Sequence, residues 1–368
     1  VIFSERFCIT AISRKEGLLD VFVCGPDGKV YTWWEHGKGW ANLPTTIKGD
    51  FPPGAKVTVV SRDAKKLDLF ACDIDGRICT AWWHIPDNPF GILGWSLWSG
   101  WYVVGNHLPS GTKVAAVSRR EKLLDLFAQT ENGQIHMWQW TEQDRWPKDH
   151  QGLPLPRNSQ GFPDEAHITV AASDEDHMNL FACDRDGSIR VAMWNSDAGW
   201  TDWKSIGRGF SAQTEVTAIV QDQNTLELFA CQPDGQVCTT AWEVGSDSIP
   251  TWNKLSCGAK FAAQSKVVAT KLSSETTELF VHGRDDLIYT CWCSETPTKW
   301  AKWEAIQLKR FLGSVDVVAV VRVGSKSVDL LVSHSDDQGL TVWWTRGSKH
   351  KWRRWQELQV PENFRYHA

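Results

Sequence analysis

Arg14, Arg62 and Arg119 each close a short apolar run, and each shares its repeat of the chain with clustered tryptophans. One set of indoles is Trp33, Trp34, Trp82, Trp83, Trp138, Trp140, Trp194, Trp242, Trp292, Trp343 and Trp344. A second set opens the segment that follows, at Trp40, Trp95, Trp146, Trp200, Trp252, Trp300 and Trp352. Lys271 and Arg322 are weaker counterparts of the three arginines. An indole offers an apolar face and a guanidinium offers a fixed fork of donors. Together they suit a ligand with a C–H face and hydroxyl edges, which describes a sugar ring. The competing reading is structural, because Trp also fills space between packed sheets and Arg is commonly a solvated residue. Co-location favours binding, since a purely structural Trp need not share a rim with Arg in each unit.

Other constellations carry less. Asp73-x-Asp75-Gly76 and Asp184-x-Asp186-Gly187 begin like a calcium loop but lack the later ligands, so turn chemistry accounts for them. The run Lys349-His350-Lys351-Trp352-Arg353-Arg354-Trp355 interleaves bases and aromatics, but on a chain of net charge −5 it reads as an exposed outer strand. That charge excludes a polyanion footprint, so no nucleic-acid partner is expected. The 11 His show no zincin spacing, and no phosphate loop or nucleophile elbow occurs, so neither metal nor cofactor is expected. No apolar stretch is long enough for a membrane span. Val1–Arg6 shows no signal-peptide core, which leaves localisation open between a cytoplasmic protein with unpaired cysteines and a secreted one. Cys24, Cys72, Cys183 and Cys231 hold one place in four repeats, too far apart for disulfides in a ring. Cys72 and Cys79, like Cys231 and Cys238, are read as neighbours across a hairpin, and Cys291 and Cys293 as pointing to one strand face.

The elements that position these residues are repeats. The segment Leu18–Trp34 returns six times, and its Phe22 recurs as Phe70, Phe127, Phe181, Phe229, Phe280 and then Leu331. The spacings are 48, 57, 54, 48, 51 and 51 residues, close to a propeller blade. Each repeat reads as an apolar first strand, a Leu-Asp-Leu-Phe strand, an Asp-Gly turn, a third strand ending in Trp, and a fourth near the next Trp. The fold class expected is an all-β, seven-bladed β-propeller with four antiparallel strands per blade, in a single domain 1–368. The blades are placed at roughly 7–48, 55–104, 112–150, 166–208, 214–257, 265–308 and 315–360. The first strand, apolar throughout, is expected to be innermost and covered on both faces. His84–Leu93 is read as an insertion and Pro147–Ala166 as a long surface loop. Closure is expected by packing of two complete blades, unless residues 1–6 or 361–368 add a strand. Chain order then puts the Arg residues and the Trp-rich ends on one rim, opposite the Asp-Gly turns.

The run VFVCGPDGKVYTWW, the preceding ITAISR and the seven-fold return over nearly the whole chain resemble the Photorhabdus-type seven-bladed propeller lectins. That resemblance implies recognition of fucose, O-methylated or related sugars in shallow pockets between blades, without catalysis or a metal. Ser-Arg is intact only at 13–14, 61–62 and 118–119, whereas blades 4 and 5 carry Ala172-Ser173-Asp174 and Val220-Gln221-Asp222. Fewer competent sites than blades are therefore expected, in blades 1–3 first. The reading is a multivalent lectin whose partners are glycans or glycoconjugates, with homo-oligomer formation left open. Two rivals stand beside it: a protein-interaction platform, and a propeller glycosidase, which needs two carboxylates at one site that breaks the repeat.

Overall fold

The apolar runs and Asp-Gly turns of each repeat close into one small antiparallel sheet. A computed structural model of the chain describes residues 8–35, 39–41, 44–85, 98–146, 151–153, 161–164, 166–255, 258–293, 299–306, 310–313, 315–324, 327–334, 341–346 and 356–358. Their strands form seven sheets, each consecutive in sequence. In blade 1 the order is Ile9–Ile12, Leu19–Cys24, Val30–Glu35 and Thr45–Ile47. The first strands of the other blades are Thr58–Asp63, Ala115–Arg120, Thr169–Ala172, Thr217–Val220, Val268–Lys271 and Val315–Val321. Each packs on the first strand of the next blade, and Val315–Val321 packs on Ile9–Ile12, so the sheets stand around a closed ring. Strand number is less regular than expected. Blade 4 has a fifth strand, because Gly199–Trp200 and Lys204–Gly207 pair separately with Ile189–Asn195. Among the described residues no helix is long and apolar enough to cross a membrane.

The core lies between blades, and each joint has its own apolar cluster. At joint 1/2, for example, Phe22 and Cys24 of blade 1 meet Leu67, Leu69, Ala71 and Ala81 of blade 2. The alternation of a strand accounts for this, since odd and even residues face different neighbours. The strand fully covered on both faces is the second, Leu19–Cys24 and its counterparts, rather than the first. The first strand is half-buried along most of its length because it borders the ring axis. Threonine hydroxyls stitch these inner strands together. Thr10 donates to the Val57 carbonyl at 2.6 Å, Thr58 to that of Val114 at 2.5 Å, Thr169 to that of Val216 at 2.5 Å, and Thr217 to that of Val267.

The Asp-Gly turns bind the following connector. The carbonyl of Gly76 accepts from Leu108 N at 3.1 Å, and that of Gly235 from Phe261 N at 2.7 Å. Gly76 needs a positive φ of 71°, and a Cβ there would sit 1.9 Å from the Leu108 carbonyl oxygen. Blade 6 makes the same bond, Phe311 N to the Asp286 carbonyl at 2.8 Å, with a non-glycine residue at φ 64°. A side chain there costs about 1 kcal/mol. Asp286→Gly should therefore raise the denaturation midpoint by an amount equal to about 1 kcal/mol, and Gly76→Ala should lower it by at least about 2 kcal/mol. Equal midpoints in chemical denaturation would disprove this account of the turn.

Two local expectations change. Strand four of blade 3 is Gln151–Gly152, past residue 150 and inside the segment read as a surface loop. After Trp146 the chain needs several residues to return beside His136 and Met137. Cys72 and Cys79 do not meet across their hairpin, for Cys72 packs into joint 2/3 and Cys79 into joint 1/2. Cys231 and Cys238 are likewise on opposite faces, because Cys231 pairs with Val237 and Cys238 with Ala230. Residues 86–97, 1–7 and 359–368, which carry most of the blade 2 insertion and both chain ends, lie outside the described residues.

Candidate functional site

The three arginines are brought to one rim, each at the joint between its own blade and the next. Each leaves the end of the first strand and pairs with a carboxylate on the second strand of its blade. Arg14 Nε lies 2.8 Å from Asp20, Arg62 Nε 2.6 Å from Asp68, and Arg119 Nε 2.8 Å from Asp125. The guanidinium then lies over an indole of the following blade. Arg14 stands 4.1 Å from the ring centre of Trp83, Arg62 4.6 Å from that of Trp140, and Arg119 4.0 Å from that of Trp194. Carboxylate, guanidinium and indole are thus layered across three consecutive joints. Stacking on the ring quadrupole and ion pairing both hold the planar fork in one orientation. Burial pushes the Asp68 carboxyl above its ordinary range, with Arg62 pulling the other way.

The remaining hydrogen bonds separate the joints. Arg14 Nη1 donates to the Ala64 carbonyl at 2.8 Å, which leaves Nη2 without a partner among the described residues. Arg62 uses Nε and Nη2 on Asp68, which leaves Nη1 without one. The two side chains keep 5% and 12% of their surface. Arg119 is fully engaged: Nη1 donates to the Glu175 carbonyl at 2.6 Å, and Nε and Nη2 both reach Asp125. Joints 1/2 and 2/3 also gain a second indole. Trp34 lies opposite Asp20 and Trp82 opposite Asp68, on the faces that carry the arginines, and both are half-buried. Trp82 stacks on the exposed Tyr102 with ring centres 4.8 Å apart. At joint 3/4 the same place holds Gln139, which donates to Asp125 at 2.8 Å.

The other joints close differently. At 4/5, Ser173 stands where Arg would, and Trp242 Nε1 donates to Asn179 at 3.2 Å. At 5/6, Gln221 donates to Glu227 at 2.6 Å and to Thr277 at 3.2 Å, and burial raises the Glu227 carboxyl. At 6/7 Leu272 takes the Arg place, because Lys271 is one residue earlier and its ammonium bonds the Val220 and Gln221 carbonyls of blade 5. At 7/1, Arg322 is a full counterpart, paired with Asp329 of its own blade and with Glu35 of blade 1. Glu35 occupies the place that Trp83 has in blade 2.

The expected indole set therefore divides by position. Trp33, Trp138 and Trp242 are buried between blades, with Trp140 buried beneath its arginine. Trp40, Trp200 and Trp300 only touch strand three, by one isolated bridge or a two-residue pair. Trp200 and Trp300 anchor edge-on against Phe127 and Phe229 of the preceding blade, 5.6 and 5.7 Å between ring centres. Trp146 does the same to Phe70, and so does Trp98 to Phe22, a residue absent from the expected set. Trp252 packs on the connector residue Phe210 instead. Trp292 is half-buried opposite Glu278, at a joint without Arg. Trp343 and Trp344 lie in the strand Thr341–Arg346, but their side chains, like Trp95 and Trp352 altogether, are outside the described residues. The carboxylates Asp20, Asp68 and Asp125 escaped sequence reading. Their signal was the Asp of each Leu-Asp-(Val/Leu)-Phe strand, six residues after the arginine.

Among the described residues no three or more His, Cys, Asp or Glu side chains group as metal ligands. No known protein-family profile matches the sequence, and no curated protein sequence matches it. Solved structures do. The BP39L lectin of Burkholderia pseudomallei superposes with a TM-score of 0.79 at 20% identity, covering 96% of this chain and 99% of that one. AofleA from Arthrobotrys oligospora gives 0.57 at 11% identity, over 97% of this chain and 88% of that one, and has also been solved with three arginines changed to alanine. The Aleuria aurantia lectin, described as a six-bladed β-propeller with a novel fucose recognition mode, gives 0.53 at 15% identity over 78% and 89%. At these identities the likeness is one of architecture, and it establishes that the chain is a β-propeller.

Proposed function

We propose that the chain is a carbohydrate-binding lectin that uses the blade joints of one rim and performs no chemistry. One observation carries this reading. At joints 1/2 and 2/3 a rigid guanidinium, clamped by a carboxylate and an indole, keeps a nitrogen without a partner among the described residues beside a second, half-buried indole. Joints 4/5, 5/6 and 6/7 pack without Arg, so blade packing does not require this arrangement. Replacing a buried ion pair with apolar residues is often neutral or stabilising, which makes the four retained pairs poor candidates for stability devices. Fixed donors beside an indole suit a sugar with vicinal hydroxyls and an apolar edge, and a 6-deoxy sugar such as fucose or an O-methylated sugar supplies that edge. The three solved relatives support the class: two carry the name lectin, and fucose recognition is stated for the Aleuria one. Arg14, Arg62 and Asp20 or Asp68 would meet hydroxyls, and Trp34 and Trp82 would stack on the apolar edge. A glycan array tests the reading. The expected result is selective binding to fucosylated or O-methylated glycans; an array without hits, beside a stoichiometric protein partner, would overturn it.

A further inference from the structure

The outermost strands set the two equipped joints apart. On strand three, Trp34 and Trp82 stand opposite Asp20 and Asp68, and the residues two places earlier, Thr32 and Thr80, pair with the outermost strand. Their partners there are Thr45 in blade 1 and Tyr102 in blade 2. The same register holds Gln151, Lys204, Asn253, Glu304 and Gln356 in blades 3 to 7, so an aromatic residue occupies it in blade 2 alone. Directly paired residues, and residues two apart on one strand, share a face. Tyr102 therefore lies on the face of blade 2 that carries Asp68 and Trp82, towards joint 2/3.

The Trp82–Tyr102 stack is close to parallel, with 25° between the ring planes. Tyr102 nevertheless stays 54% exposed. Blade packing does not account for it. Six blades carry a polar residue at this place, and a ring left half in water gives up much of the burial that makes an aromatic residue useful in a core. Arg62, Asp68, Trp82 and Tyr102 come from strands one to four in that order, so the face offers one group on every strand. At a strand spacing of about 4.8 Å the four strands span about 14 Å, wider than one pyranose ring. In blade 1 the equivalent line of Arg14, Asp20 and Trp34 ends at Thr45, which is exposed and has no ring.

We propose that joint 2/3 is an extended glycan site, in which the sugar held by Arg62 and Trp82 is followed by a second saccharide unit stacked on the exposed ring of Tyr102. This rests on the lectin reading of the rim joints and divides them by ligand. Joint 1/2 reads a single terminal sugar, whereas joint 2/3 also reads the residue to which that sugar is linked. The C–H face of a pyranose supplies the apolar surface that an exposed phenol ring can cover.

A panel of α-fucosyl disaccharides of different linkage is the probe, with α-methyl fucoside as the single-ring reference. Calorimetry on the whole chain should show at least one disaccharide bound at one site about fivefold or more tighter than α-methyl fucoside, the size of one ring contact, and no tighter at the other site. Tyr102→Thr, which installs the blade 1 residue, should abolish that preference and leave α-methyl fucoside binding unchanged. A Tyr102→Thr chain that retains the preference would overturn the proposal. So would a wild type that binds α-methyl fucoside but no disaccharide more tightly, and in both cases the lectin reading stands. A wild type that binds neither probe overturns the fucose reading and the extended site together. A second measurement needs no variant. In saturation-transfer NMR on the wild type, the C–H protons of the second ring should receive saturation as the fucose does, and a second ring without transfer in every disaccharide would also overturn the proposal.

Discussion

Arg119→Ala should cost about 3–5 kcal/mol of stability, the range for removing one partner of a buried pair, and should leave most glycan binding intact. The side chains of Arg119 and Asp125 keep only 4% and 0% of their surface, so the variant strands a carboxylate with Gln139 as its remaining side-chain partner. It also deletes the bond to the Glu175 carbonyl that ties blade 3 to blade 4. The double variant Arg119→Met with Asp125→Leu removes both charges and should recover most of the loss. Chemical denaturation checks both. A double variant no better than the single one would mean that Arg119 acts through its contact with Trp194 rather than through its charge.

The second large effect concerns binding. Trp34→Ala and Trp82→Ala each remove a half-buried indole without stranding a charge, so the fold should survive either change. If joints 1/2 and 2/3 are the equipped sites, one substitution should leave one monovalent site per chain at unchanged affinity. Binding to a dense glycan surface should fall by about 10² or more, because linked sites contribute through effective concentration. The double variant should bind neither the surface nor monovalent α-methyl fucoside. Calorimetric stoichiometry beside surface binding separates these outcomes, and full retention of both in the double variant would refute the assignment.

The blade was legible because its signals are local. Apolar alternation and an Asp-Gly turn with positive φ act within one hairpin, and the return of Phe22 repeats that hairpin along the chain. The joints were harder to read, since strand parity decides which neighbour a side chain meets. Trp33 and Trp34 lie eleven and twelve residues after Phe22, whereas Trp82 and Trp83 lie twelve and thirteen after Phe70. These pairs look alike and are shifted by one, which sends Trp33 into the core of joint 7/1 and Trp83 beneath Arg14. Counting from the Phe would have separated them.

Joint 7/1 has a consequence for the chain as an object. Its contacts, Ile9 N to Asp316, Val323 N to Ser13 at 3.0 Å and Arg322 to Glu35, are of the same kind as those at joints within the sequence. No described strand of blade 1 is borrowed from blade 7, and each sheet is drawn from one continuous segment. Among the described residues the seam is thus built like the other six joints. Its cyclic order follows the chain, and the joints differ in which carboxylate, indole or guanidinium meets which neighbour.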